Sequence, residues 1–476
     1  MMGLLNIFGL GTGTSSSSSS KLNFNLNVAT ANTEVGISSI VDKAAGTAQT
    51  GVQVKTQDAT GKALDLAINS LLNSSQAGTT GKLDLGLVTQ NGAKTTAAAF
   101  DGLFNASKAG LTGQADVGVK VQDGLSKALD FANSSIFNLS KDGAAGQTAL
   151  DVTTQNGTKS SSSQFDGIAS VGKDGATGQT NLDVKVQDGL SKALDFANSS
   201  IFNLNKDGAA GQTALDVTTQ NGTKSSSSQF DGIASVGKDG ATGQTNLDVK
   251  VQDGLSKALD FANSSIFNLN KDGAAGQTAL DVTTQNGTKS SSSQFDGIAS
   301  VGKDGADAQT NLGVKVQDGL SKAFDFANSS LFDASKDGVT GKTALGLAVL
   351  NGAKASTALF DGLFSADSHS LAGKSSIDAQ SQDAQGKFNL AGTSLFSADS
   401  SGATAQSDLG MVIQNSQKLA ALKLSDLLQV GRDTLSFSGD HTVQVQQAEG
   451  GSYHPVFNTA LALESVLPLH HEAALA

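Results

Sequence analysis

Apolar residues recur at every second position through much of this chain. Leu182, Val184 and Val186 alternate with Asp183 and Lys185, and Leu194 and Phe196 flank Asp195. A period of two belongs to a strand with one face covered and the other in water. Gly, Asn and Asp punctuate these runs at fixed offsets, with Asp-Gly or Asn-Gly after the first strand and Lys-Asp-Gly-Ala-x-Gly at the end. The spacing predicts about three short strands per unit, near residues 148–155, 159–165 and 168–172. The only prolines are Pro455 and Pro468, so nothing in the repeats interrupts a hydrogen-bond ladder.

The pattern is copied. A block beginning VQDGLSKALDFANSSIFN at Val121 restarts at Val186 and at Val251, 65 residues on each time. The first two copies differ at Ser140 versus Asn205, and the third departs at Asp307, Ala308 and Gly313. Each block splits into two related halves. The half-unit is marked by Asp58, Asn91, Asp123, Asn156, Asp188, Asn221, Asp253, Asn286, Asp318, Asn351, Asp383 and Asn415, which gives 12 units spaced by 32 or 33 residues. The outer units have drifted, as terminal units that cap an array do.

The expected architecture is all-β: a repetitive parallel β-solenoid of about 12 rungs, with an antiparallel β-meander as the alternative. Rungs stack about 4.8 Å apart. A ladder of Asp123, Asn156, Asp188, Asn221, Asp253 and Asn286 would then separate carboxylates by about 10 Å, close to a Debye length. The column Lys141, Lys173, Lys206, Lys238, Lys271, Lys303 and Lys336 runs beside Asp142, Asp174, Asp207, Asp239, Asp272, Asp304 and Asp337, where charges neutralise laterally. A second expected ladder stacks Phe165, Phe196, Phe230, Phe261 and Phe295. A lone unit cannot fold: about six large apolar residues at 1.5–3 kcal/mol each do not offset some 32 residues at about 1–2 kcal/mol each.

Composition narrows the function. Of 476 residues 38% are apolar and 5% aromatic, which suits a thin repetitive core rather than a large globular one. The absence of cysteine excludes a disulfide framework. A net charge of −12 with Arg432 as the only arginine argues against nucleic-acid binding. No run approaches 18 apolar residues, so no membrane span is expected.

Four regions are read along the chain: a flexible segment with a Ser linker (1–20), a strand or cap (21–44), the β-repeat array (45–416) and a C-terminal module (417–476). The first begins MMGLLNIFGLGTG, apolar but without the basic start or Ala-x-Ala site of a cleaved signal. In the second, Leu22, Phe24, Leu26 and Val28 alternate without fault. This strand either caps the first unit or is donated to a neighbouring chain, which makes those four the assembly candidates. In the fourth, Leu419, Leu422, Leu424, Leu427 and Leu428 predict a short helix ended by Gly431. A hairpin around Gly439 and Asp440 follows, making a small α/β module.

LKLSDLLQVGRDTLSFSGDHTVQV resembles the end of bacterial repeat proteins exported by type I secretion, such as large biofilm adhesins. The resemblance covers about the last 60 residues and implies secretion to the extracellular matrix or cell surface. The calcium-binding Gly-Gly-x-Gly-x-Asp nonapeptides common in that class are absent. The array is similar in logic to secreted functional amyloids such as curli, with stacked imperfect repeats rich in Gly, Asn, Gln and Ser.

Catalytic chemistry has no foothold. All five histidines (His369, His441, His454, His470 and His471) lie outside the copied blocks, and His470-His471 reads as a solvated tail. There is no Gly-x-Ser-x-Gly elbow between a strand and a helix. No Glu occurs between Glu34 and Glu449, and Asp reads as a turn former. The chain is therefore expected not to be an enzyme and to need no cofactor or metal. The leading expectation is a secreted subunit that polymerises with itself into fibres of a bacterial matrix. The alternative is a monomeric β-rod adhesin that grips polysaccharide, a surface or ice through a Ser/Thr face such as residues 158–164.

Overall fold

The computed structural model describes residues 17–28, 31–449 and 452–468, and every regular element among them is a strand. The chain divides into two units, Met1–Gly222 and Thr223–Ala476. The first holds β1 (Ser17–Val28), β2 (Ala31–Asp42), β3 (Thr47–Asp58), β4 (Lys62–Ser75), β5 (Gly78–Asn91), β6 (Lys94–Ser107), β7 (Gly110–Asp123), β8 (Lys127–Ser140), β9 (Gly143–Asn156), β10 (Lys159–Gly172), β11 (Gly175–Asp188), β12 (Lys192–Asn205) and β13 (Gly208–Asn221). The second holds β14 (Lys224–Gly237), β15 (Gly240–Asp253), β16 (Lys257–Asn270), β17 (Gly273–Asn286), β18 (Lys289–Gly302), β19 (Gly305–Asp318), β20 (Lys322–Ser335), β21 (Gly338–Asn351), β22 (Lys354–Ala366), β23 (Ser370–Gln382), β24 (Gly386–Asp399), β25 (Gly402–Asn415), β26 (Lys418–Gly431), β27 (Thr434–Glu449) and β28 (Ser452–Pro468). Within each unit every strand pairs antiparallel with the next in sequence, as β9, β10, β11 and β12 do in full register.

The meander is therefore the architecture, and the parallel solenoid is corrected. The reason lies in the loops. Asn156 and Lys159 are joined by Gly157-Thr158, and Ser140 and Gly143 by Lys141-Asp142. Two-residue loops reverse a chain, whereas parallel strands need longer crossovers. Gly157 has φ +64° and among the described residues no other residue type takes a positive φ, which is the pattern of a type II′ hairpin turn with Gly first. Two 14-residue strands with two such loops make 32 residues, and the three-residue loop Gly124-Leu125-Ser126 makes 33. Each unit holds two long strands rather than three short ones, because Lys159–Gly172 runs unbroken through Gly167.

The turns explain why the first two blocks differ where they do. In the first block the amide of Asp142 donates to Ser140 Oγ at 3.2 Å, and in the second the amide of Asp207 donates to Asn205 Oδ1 at 2.8 Å. Both side chains cap the same turn. At the opposite ends of the strands, successive turns are linked to each other. The amide of Gly157 donates to Ser126 O at 2.7 Å and that of Gly189 to Thr158 O at 3.0 Å.

The C-terminal segment is also corrected. Lys418–Gly431 is strand β26 rather than a helix, paired with β25 and β27. Gly439 and Asp440 lie inside β27 rather than at a hairpin tip. No α/β module is present among the described residues.

Candidate functional site

Register assigns every side chain to one of two faces. In β11 one face carries Ala176, Gly178, Thr180, Leu182, Val184 and Val186, and the other carries Thr177, Gln179, Asn181, Asp183, Lys185 and Gln187. The partners match. Leu182 lies opposite Phe165 and Asn198, and Val184 opposite Ser163 and Phe196. All lysines and aspartates between the strand ends of the copied blocks fall on the polar face. There Lys120–Asp130 (3.0 Å), Lys185–Asp195 (3.6 Å), Lys250–Asp260 (3.8 Å) and Lys315–Asp325 (3.6 Å) form cross-strand ion pairs. Being exposed, each contributes about 0–1 kcal/mol.

The apolar face has nothing over it. No hydrophobic side chain is buried among the described residues. Phe202 is 51% exposed, Leu204 52% and Val171 59%. The buried positions are glycines: Gly81, Gly113, Gly178, Gly243, Gly341, Gly373 and Gly439. On the first six lies a phenyl ring from the next strand: Phe104, Phe137, Phe202, Phe267, Phe364 and Phe396. A bare glycine lets the ring lie flat on the backbone, a cross-strand device for stabilising glycine in a sheet.

A row of small polar groups crosses the middle of the same face. Ser135 and Thr148 share a hydrogen bond at 3.3 Å, Ser200 and Thr213 at 3.3 Å, and Ser330 and Thr343 at 2.7 Å. Asn198 Nδ2 donates to Ala214 O at 3.2 Å. These groups satisfy one another. In the second unit the row runs into a groove of about 440 Å³ bordered by Phe332, Phe364 and Phe396. Inside its rims this face carries charge at one place among the described residues, where His441 Nε2 meets Asp426 Oδ1 at 2.8 Å.

Both expected ladders change form. Asp123, Asn156, Asp188 and Asn221 do end alternate strands of one edge, but Lys127, Lys159 and Lys192 lie between them in register. The same holds for Asp253 and Asn286 around Lys257. Neighbours in the column are two strands apart, about 10 Å, so aspartates are about 19 Å apart. Lysine neutralises them directly, as in Lys159–Asp188 (3.5 Å) and Lys224–Asp253 (3.4 Å). Phe165, Phe196, Phe230, Phe261 and Phe295 likewise do not stack on one another. Phe165 faces Leu150 and Leu182, Phe196 faces Val184 and Val217, and the other three repeat these environments beside Leu247, Val249 and Val282, and Leu280 and Leu312. The Lys/Asp column of the opposite turns does neutralise laterally, through Lys173–Asp142 (3.3 Å) and Lys303–Asp272 (3.2 Å).

Leu22, Phe24 and Leu26 fall opposite Ile37, Val35 and Thr33, and Val28 opposite Ala31, so β1 pairs with β2 of its own chain. Residues 158–164 do not form one Ser/Thr surface: Ser160 and Ser162 share a face with Lys185, and Ser161 and Ser163 lie on the other. Shallow polar grooves recur on the first of these faces, lined by Thr153, Ser162, Lys185, Gln187 and Asp195, and again by Thr283, Ser292, Lys315, Gln317 and Asp325.

Two features escape a reading of the sequence. The ring-on-glycine pairs need the register, although the recurrence of both residues at one period is their trace. The leucines of the three-residue loops, Leu125, Leu190, Leu255 and Leu320, stand 96–99% exposed.

Among the titrating groups, a hydrogen bond with Asp307 directly opposite holds Asp333 above the ordinary carboxylate range. Asp101 is raised in the same way by Asp84, which a hydrogen bond from Lys82 holds below that range. No cluster of metal-binding side chains occurs among the described residues. His470 and His471 lie outside the described residues. Among the described residues no helix is long and apolar enough to cross a membrane. Compared with known proteins, the chain matches no family model and no curated protein.

Proposed function

We propose that this chain is a structural protein of an extracellular bacterial matrix that assembles with copies of itself into fibres. The observation that carries this reading is the uncovered apolar face, since an exposed hydrophobic surface beyond a few hundred Å² marks an interaction site. Strand edges supply a second joint: among the described residues β1 pairs only with β2 and β28 only with β27. Unpaired strand edges accept further strands. The resemblance of the C-terminus to type I secreted adhesins supports export. The repeats supply extended surface instead of a unique catalytic constellation, so no enzymatic role is assigned. The test is negative-stain electron microscopy of purified protein held at near-neutral pH. Uniform filaments are expected, and particles that stay single at every concentration sink the proposal.

The recurring polar grooves favour a second reading, an adhesin that grips matrix polysaccharide. Hydroxyl, amide and paired ionic groups repeated at block spacing suit a repeating glycan. Glycan-array binding whose avidity falls when one block is deleted would carry this reading, and no binding on the array would end it.

A further inference from the structure

We infer that the apolar face is covered by the same face of a second copy of this chain, giving a two-layer β-sandwich; this deepens the self-assembly reading and rests on it. The row nearest the Lys-Asp turns runs, strand by strand from β8 to β13, Leu139, Ala144, Val171, Ala176, Leu204, Ala209. It repeats in the second unit as Val236, Ala241, Leu269, Ala274, Val301 and Ala306 from β14 to β19. Large and small side chains alternate at every strand. In the next row inward, Phe137, Gly146, Ala169, Gly178, Phe202, Gly211, a large side chain stands at every fourth strand with small ones between.

Along the row nearest the turns, the large side chains form ridges about 10 Å apart with slots between them. A second identical face, displaced by one strand, sets its ridges in those slots, which is how layers interdigitate in a packed core. The match recurs along the blocks because both partners have the same period. A two-fold axis makes the contact self-complementary.

Area and charge point to the same occupant. A 14-residue strand covers about 230 Å² of sheet at about 3.4 Å per residue and 4.8 Å between strands. Four strands therefore present about 900 Å², one partner's share of a standard interface. Between the strand ends of the copied blocks aspartates and lysines sit on the opposite face, so two chains of net charge −12 meet there on sides without charge. Lipid fits less well. A lipid-facing strand is apolar at mid-length, whereas here Ser200 and Thr213 bond to each other at mid-length and Asn198 beside them bonds to a backbone carbonyl.

The experiment is sedimentation and light scattering of the full chain beside the triple variant Val171→Asp, Phe202→Asp, Leu204→Asp, with Gln179→Asp on the polar face as control. The three sites are half-exposed in the single chain, and far-UV circular dichroism confirms that the variants keep the fold. The wild type is expected at twice its 47.9 kDa or a multiple of that. The triple variant is expected to dissociate at least 10-fold more readily, and the control to match wild type. A triple variant that associates like wild type overturns the inference. Filaments one sheet thick by atomic force microscopy would also overturn it while leaving self-assembly intact. A wild type with neither dimers nor filaments removes both. A wild type that stays monomeric and co-sediments with neutral phosphatidylcholine vesicles assigns the face to lipid instead.

Discussion

Phe202 lies flat on Gly178 because no Cβ stands in its way, and a methyl group there would overlap the ring. Gly178→Ala should therefore cost about 1–3 kcal/mol, the range for overpacking, and a urea titration would measure it. Because φ at Gly178 is ordinary, Phe202→Ala in the same chain should remove most of that penalty, whereas a backbone cause would leave it. The carboxylate pair Asp307 and Asp333 stands where the earlier copies pair Thr177 of the first block with Asn203 of the second. The raised Asp333 binds its proton more tightly in the fold than in the unfolded chain. Its contribution is complete below the ordinary carboxylate pKa of about 4 and is lost as pH rises through the folded value. Asp58, Asp367 and Asp399 work in the opposite sense. Hydrogen bonds from their own turns, led by the amides of Lys62 and His369 and the hydroxyl of Ser401, hold them low. They stabilise above the ordinary range and stop doing so in acid. Asp307→Thr should thus raise the melting temperature increasingly from pH 3 to pH 7. A uniform offset across that range would show that the pairing of the two carboxylates is not the cause.

The hairpin is the element that repeats, and its loops decide the architecture. Gly157 takes φ +64° and its amide reaches the neighbouring turn. Gly157→Ala should cost about 1 kcal/mol, the penalty for a left-handed residue with a Cβ, whereas the same change at Gly146, with ordinary φ and an open site, should cost less. Paired thermal melts would separate the two. The strands themselves were legible from the period of two, and the 32- and 33-residue spacing encodes the loop lengths. What the sequence left open was the partner of each strand, because alternation is common to a solenoid and a meander. The segment 418–431 shows a different ambiguity. As a strand, Leu422, Leu424 and Leu428 share one face while Leu419 and Leu427 take the other. The same leucines satisfy a short helical pattern, and the ladders offered by β25 and β27 decide between them. The sites were less legible than the strands. The Asp/Asn column is visible in the sequence, but its place at a sheet edge and the lysines within it appear only once antiparallel neighbours are known.

Along the repeats stability is spread evenly, since each strand touches only its neighbours. In such arrays unfolding follows nearest-neighbour terms, so deleting residues 121–185 should leave the fold and the melting temperature almost unchanged. Circular dichroism with calorimetry would check this, and a collapse of structure would mean that distant strands depend on one another. Deleting β11 with one loop is a different matter: every later strand would run the opposite way and meet the wrong partner. The copied block holds four strands, an even number. Inserting or losing one therefore returns the chain to the same edge, heading the same way, with the same face toward its partner. Unequal recombination within the gene can then lengthen or shorten the protein in steps of one block, and each product folds without a single compensating substitution. The even strand count makes length a heritable variable that selection can tune independently of the fold.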